Sequence, residues 1–438
     1  MNYRKLSLRW MHFVLSFLFL MKGARELNFR LVLFIFYLLL RIEDNLIGFI
    51  LLSYWNIIIV FLILYVFIRL LCYLKKDNLD SKKEVMLIYI MGFIMMCYFF
   101  INNIFFFYLF YELSVLPIFY YICVRGERKE RFQAGYFILF MTFFYSLPFV
   151  FFFFNFFLQE KIIMSRLLYL KGEMLIEVGY LICLFAYVLF LVKIPIYFFH
   201  FWLPKAHVEA SVEGSIILAA LLLKLGCYGL LFLRTNFFNV INNVCIIFFT
   251  VRVYCYVLVL FLCLKQRNLK KFVAYSSIFH ISYVIGRSIM RLNGVWSFII
   301  VLWIIHGITS MYLFWFLGFL YEIIFSKSIF FMLFLKGIKG KIIFLFFGST
   351  LAVVSILPCS SFFSEIYVLM LLLFVYYLNM MFMLIIFFIA IFYILFFYMI
   401  VGLRWYKGFS FYVKEEIKIL EGRSFILNIV IFLLFFMK

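Results

Sequence analysis

Charge is scarce in this chain. Of 438 residues, 13% are Asp, Glu, Lys or Arg, while 69% are apolar and the mean hydropathy is +1.17. That leaves too little polar surface to cover a soluble globule of this length. Strict polar/apolar alternation is missing as well, which excludes a membrane β-barrel. With only 5 prolines to interrupt them, the apolar runs read as spanning helices, each needing about 20 apolar residues. The 9 cysteines lie within or at the edge of apolar runs, with no CxxC and no Cys/His cluster at ligand spacing. This argues against a zinc site, an iron–sulfur cluster and a disulfide framework. No GxGxxG follows a strand pattern and no GxxxxGK[ST] loop occurs, so neither a dinucleotide nor an ATP site is evident.

What charge there is leans strongly basic, at a net +21. It collects in short loops such as Lys75–Lys83, Arg125–Arg131 and Lys265–Lys271. Such loops are expected to be topology signals and contacts with anionic membrane lipids, not a nucleic-acid surface. Basic residues occur in nearly every loop, so no orientation is assigned. The basic start and short apolar core of Met1–Arg25 lack a small-residue cleavage site and read as a first membrane segment. With 68 Phe and 31 Tyr, the composition suggests the base bias of an organelle-encoded gene.

In chain order the apolar runs are Leu8–Met21, Leu31–Leu40, Leu46–Leu74, Val85–Phe100, Ile104–Cys123, Ala134–Leu158, Leu175–Leu203 and Gly214–Leu233. Beyond them come Val240–Leu264, Phe272–Ile289, Val295–Phe325, Ile342–Leu357 leading into Cys359–Tyr377, Met380–Leu403 and Phe425–Met437. The expected fold is an all-α, polytopic transmembrane bundle of about 14 helices in one membrane domain. Its expected regions are N-terminal segments (1–103), a first half-repeat (104–233), a second half-repeat (234–403), and an interfacial connection with a last helix (404–438). The connection Arg404–Arg423 mixes charge with an apolar stripe and reads as an amphipathic helix at the membrane surface.

Six ionisable residues interrupt these runs far from their ends: Glu112, Lys193, Lys224, His280, His306 and Glu365. Each alone has a plain structural explanation, as a packing histidine or a buried ion pair. As a set they can face the bundle interior at one depth, and a row of acid, lysine and histidine groups is what a proton relay requires. Pro195 follows Lys193 by two residues, and Pro358 precedes Glu365 by seven. Proline-broken helices beside midplane charges, recurring in two parts of a chain, point to an inverted-repeat transporter. The i, i+7 spacing of Lys193 and His200 would put both on one face if the break permits it.

FHFWLPKAHVEA (Phe199–Ala210) followed by GSIILAALLLKLGCYGLL (Gly214–Leu231) resembles the signature region of the proton-translocating, antiporter-like membrane subunits of respiratory NADH:quinone oxidoreductase, complex I. YELSVLPIF (Tyr111–Phe119), RFQAGYFILF (Arg131–Phe140), LKKFVAYSSIFHISYVIG (Leu269–Gly286), HGITSMYLFWFLGFLYE (His306–Glu322) and ILPCSSFFSEIYVLM (Ile356–Met370) agree in the same order. Within the family, KAHVEA followed by LLLKLG separates one subunit type from two related ones that lack it.

The resemblance implies that Glu112 and Lys193 form a coupling ion pair and that Lys224 is the central relay lysine. It implies that His200, His207, His280 and His306 support a water-filled path and that Glu365 stands near an exit. It also implies that the chain itself binds no cofactor. FMN, iron–sulfur clusters and ubiquinone would belong to partner subunits, other members of a membrane arm in the mitochondrial inner membrane that includes neighbouring antiporter-like subunits. Glu213 and Arg287 depart from the family pattern, which has small residues there. The alternatives are a cation/proton antiporter or membrane-bound hydrogenase subunit, a purely structural bundle, and, more remotely, a lipid-acting membrane enzyme.

Overall fold

The computed structural model describes residues 79–101, 103–126, 129–160, 174–236, 257–288 and 295–324. It also describes isolated positions 59, 62, 63, 66, 67, 70, 326, 328 and 389. All belong to the second of two compact units, Leu52–Lys438. The expected segments before residue 59, the second broken helix with Pro358 and Glu365, and the Arg404–Arg423 connection lie outside the described residues.

The described elements are helices α1 (Leu79–Phe100), α2 (Ile104–Leu113), α3 (Val115–Arg125), α4 (Arg131–Glu160) and α5 (Met174–Lys193). A 3-10 turn (Tyr197–Phe199), α6 (Trp202–Glu209) and α7 (Val212–Ile217) follow. A π-helical segment (Leu218–Leu222) then joins α7 to α8 (Leu223–Asn236), and α9 (Leu269–Ser288) and α10 (Val295–Ile324) complete the set. A short helical stretch, 257–264, precedes α9, and the described residues hold no β-strand beyond an isolated bridge between Asn268 and Ser328.

Among the described residues, five spans are long and apolar enough to cross a membrane: Lys83–Phe100, Phe105–Arg125, Arg131–Phe154, Val212–Leu233 and Leu302–Tyr321. Their burial sorts them. The Val212–Leu233 span is 94% buried and forms the centre, whereas Arg131–Phe154 is 28% buried and lies outside. On α4, Phe140, Phe144, Leu147 and Phe151 are exposed at i, i+4, i+7 and i+11, an apolar stripe suited to lipid.

Helix ends follow local chemistry. Asn103 caps α2 by accepting from the Phe105 amide at 3.0 Å. Ser211 caps α7 by accepting from the Gly214 amide at 3.4 Å. Glu213 sits in that helix's first turn, where a carboxylate meets the positive end of the helix dipole. This gives the unusual residue a local role.

Two expected runs are interrupted. Ile104–Cys123 is two helices, parted at Ser114. Pro117 is the cause, because it has no N–H for the carbonyl of Leu113. Leu175–Leu203 stops being helical at Lys193, ten residues before its expected end, for the parallel reason at Pro195.

Candidate functional site

Pro195 leaves the Leu191 carbonyl without its helical donor, and the chain departs through Ile196, which is extended at φ −73°, ψ 157°. Trp202 offsets part of that loss: its Nε1 donates to the Val192 carbonyl at 2.9 Å. Lys193 is therefore the last residue of α5, and it is 1% exposed. Its ammonium donates to the carbonyl of Tyr111 and to Ser114 Oγ at 3.0 Å. The same ammonium lies 3.3 Å from the centroid of the Tyr111 ring, a cation–π contact. One broken helix thus places a lysine on the break in another.

Glu112, the next residue after Tyr111, is also buried. Tyr108 and Ser146 of α4 stand beside its carboxylate, and Lys193 is the positive charge that acts on it. Neither carboxylate oxygen accepts a hydrogen bond from Lys193. The two groups are coupled across the α2–α3 break through the Tyr111 carbonyl, without a direct clasp.

The second centre lies on the buried helix α7–π–α8. Lys224, 4% exposed, donates back to the Ala219 carbonyl at 2.8 Å. Ala219 is inside the π segment, whose wider turn shifts the carbonyl pairing from i, i+4 to i, i+5. Lys224 Nζ also lies 3.2 Å from His306 Nδ1 on α10. The His306 ring is in turn 6.3 Å, centroid to centroid, from His280 on α9. Three elements thus gather three titratable groups in a row.

Gly226 brings the two centres together. A Cβ there would stand 2.7 Å from Ile194 Cγ1, 3.0 Å from the Phe190 carbonyl and 3.2 Å from the Ile194 amide. Backbone therefore meets backbone two residues beyond Lys224 and one residue beyond Lys193. Tyrosines tie the surroundings. Tyr98 donates to the Leu225 carbonyl at 2.7 Å and Tyr111 to the Leu189 carbonyl at 2.8 Å.

The remaining histidines are placed apart. His200 is buried, bonds the Tyr197 carbonyl through Nδ1, and has the Tyr275 ring of α9 at 5.8 Å. No helix runs from Lys193 to His200, so the i, i+7 rule does not apply and the expected shared face is corrected. His207 is wholly buried and stacks on Phe314 of α10 at 4.5 Å and 6°. Among the described residues no group of three or more His, Cys, Asp or Glu side chains could hold a metal ion.

The sequence reading missed Tyr111, Ser114, Glu209 and Lys270. Ser114 had a signal, three residues before Pro117 in an apolar run. Lys270 belongs in sequence to the basic stretch Lys265–Lys271, expected to be a loop. Lys265, Arg267 and Lys271 are exposed, but Lys270 is 2% exposed and donates to the Ala210 carbonyl at 3.0 Å.

Residues 101–393 match the family model described as NADH:quinone oxidoreductase/Mrp antiporter, TM. The chain belongs to this family. It is 31% identical over 305 residues to NADH-ubiquinone oxidoreductase chain 4 of Petromyzon marinus, covering 68% of this chain and 66% of that one. It is 38% identical over 242 residues to chain 4 of Locusta migratoria, covering 53% and 52%. Chain 4 is the subunit type that the KAHVEA and LLLKLG order singles out. This family member spans between about half and two thirds of the length of those relatives. Among solved structures, a chain of respiratory complex I from Thermus thermophilus with bound NADH superposes with a TM-score of 0.72 at 18% identity, covering 88% of this chain and 81% of that one. A chain of the membrane-bound sulfane sulfur reductase, an archaeal respiratory membrane complex, gives 0.75 at 15%, covering 88% and 80%. Both likenesses establish the helical membrane fold.

Proposed function

We propose that this chain is a proton-translocating, chain 4-type subunit of the membrane arm of mitochondrial NADH:ubiquinone oxidoreductase. The observation that carries the reading is the pair of buried lysines on touching helices, one coupled to Glu112 and the other in contact with His306. Lys224 can pass a proton to His306 Nδ1 across one hydrogen bond, giving an imidazolium and a neutral amine. The amine still donates to Ala219, so discharge strands no carbonyl. Lys193 and Glu112 set the charge on the other side of Gly226, and their separation or approach biases the protonation of Lys224. Glu365 serves as the group near the exit.

In this reading the chain carries no redox chemistry. Flavin mononucleotide, iron–sulfur clusters and ubiquinone reside in partner subunits, beside neighbouring antiporter-like subunits and lipid. The protein is multi-pass in the mitochondrial inner membrane and organelle-encoded. The family model also covers Mrp antiporters, so a cation/proton antiporter or hydrogenase module is the second reading. Purification of the native assembly separates them. Flavin, iron–sulfur proteins and quinone-linked NADH oxidation are the expected result. Sodium/proton exchange from an assembly without redox proteins would contradict it.

A further inference from the structure

An aromatic cluster lies against one side of the two-lysine centre. Phe107 of α2 stacks on Tyr98 of α1, at 4.3 Å between centroids, and on Phe232 of α8, at 4.2 Å. Tyr228, also of α8, lies 5.8 Å from Tyr98 and 4.9 Å from Phe99, and Phe190 of α5 lies 6.0 Å from Phe107. All of these side chains are buried. Gly229 leaves the room for Phe190, because a Cβ there would strike its ring. Helices α1, α2, α5 and α8 thus give rings to one packed layer.

Helix ends fix where the layer sits. α1 ends at Phe100, α2 begins at Ile104 and α8 runs out to Asn236, so the rings lie between the lysines and those helix ends. At 1.5 Å per residue, Phe232 stands about 12 Å along α8 from Lys224, and Phe107 about 6 Å along α2 from Tyr111. Tyr111 joins layer and centre: its ring faces the Lys193 ammonium at 3.3 Å and lies 5.1 Å from Phe190 and 6.1 Å from Tyr98. The tyrosine hydroxyls here are tied to backbone. Tyr98 donates to the Leu225 carbonyl at 2.7 Å, Tyr111 to the Leu189 carbonyl at 2.8 Å and Tyr228 to the Phe99 carbonyl at 3.4 Å. A carbonyl has no proton to hand on, and neither has a phenylalanine ring.

We propose that this aromatic layer is a proton seal, with Phe107 its central ring. It keeps Lys193 and Lys224 from exchanging protons with water on the side where α1 ends and α2 begins. The proposal rests on the proton-translocating function above and assigns its closed side. A lysine that takes protons from one side of a membrane must be shut off from the other, or the gradient runs back through it. Packed apolar rings do this by excluding water, as hydrophobic constrictions do in channels. The tied hydroxyls add a second barrier, since turning one toward a neighbouring ring would strand a buried carbonyl.

The test is the passive proton leak of reconstituted vesicles holding the assembled complex, read as the decay of an imposed pH gradient with neither NADH nor quinone present. Phe107→Ser replaces the ring with a small hydroxyl and admits water, whereas Phe107→Leu keeps an apolar side chain there. The expected result is a decay several-fold faster than wild type in Phe107→Ser and at the wild-type rate in Phe107→Leu. Adding Lys224→Met to Phe107→Ser should slow the leak again, because the breach opens onto that lysine. A wild-type rate in Phe107→Ser would overturn the seal. Equal leaks in Phe107→Ser and Phe107→Leu, or a leak that Lys224→Met leaves unchanged, would mean loosened packing and overturn it too. NADH-driven uptake of Lys224→Met alone is read separately, and normal uptake there would instead overturn the function on which the proposal rests. If Phe107→Ser does not assemble, Phe232→Ser beside Phe232→Leu decides by the same comparisons.

Discussion

Lys224 Nζ lies 3.2 Å from His306 Nδ1 and 2.8 Å from the carbonyl of Ala219, five residues earlier in a π-helical turn. The lysine is thus held at one end by backbone that cannot titrate and faces, at the other, a ring that can. Substituting His306 with Phe keeps a ring of similar volume and removes the acceptor. Proton uptake should fall by about 10²-fold or more, the usual contribution of a positioned acid–base group, while the complex still assembles. Quinone-linked proton uptake in vesicles measures it.

Gly226 should tolerate no side chain. In Gly226→Ala the new Cβ would press on the Phe190 carbonyl and the Ile194 amide, and backbone cannot rotate away as a side chain can. Overpacking of this kind costs about 1–3 kcal/mol. A lowered thermal midpoint of the purified complex is the expected readout.

Trp202→Phe keeps the buried ring and loses only the donor to the Val192 carbonyl. That carbonyl, already beside the break that Pro195 makes, would be left unsatisfied at a cost of about 1–3 kcal/mol. Amide exchange across residues 192–203 should speed up, because the broken segment has lost its tie.

Much of this arrangement was legible in the sequence, and particular residues show where legibility stopped. Lys193, Lys224, His280 and His306 stand out because charge and imidazole are rare in apolar runs; Lys193, Lys224 and His280 are buried, and His306 is part-buried against Lys224. Pro195 announced its helix break for the same local reason. The break at Ser114 did not announce itself, because the helix resumes at once and the hydrophobic pattern runs straight through. The π segment left no trace either, since LAALL is equally suited to an ordinary helix. Lys270 shows the opposite failure: set among exposed basic residues, it looked like one of them. Only the packing of α9 against the end of α6 turned it inward.

Ser114→Ala removes one of the two acceptors of the Lys193 ammonium and leaves the Tyr111 carbonyl. Hydrogen bonds to charged groups contribute about 1.5–3 kcal/mol, so Lys193 should be less firmly placed. Uptake is expected to fall, and to fall less than in Lys193→Met, because the charge remains beside Glu112. Parallel vesicle assays of the two variants would rank them.

The central claim is that Lys224 carries protons. NADH-driven proton uptake in vesicles containing the Lys224→Met complex tests it most directly, with assembly confirmed by the full subunit complement. Loss of uptake in an assembled complex is the predicted result. Normal uptake with normal electron transfer would make Lys224 a packing residue and contradict the relay.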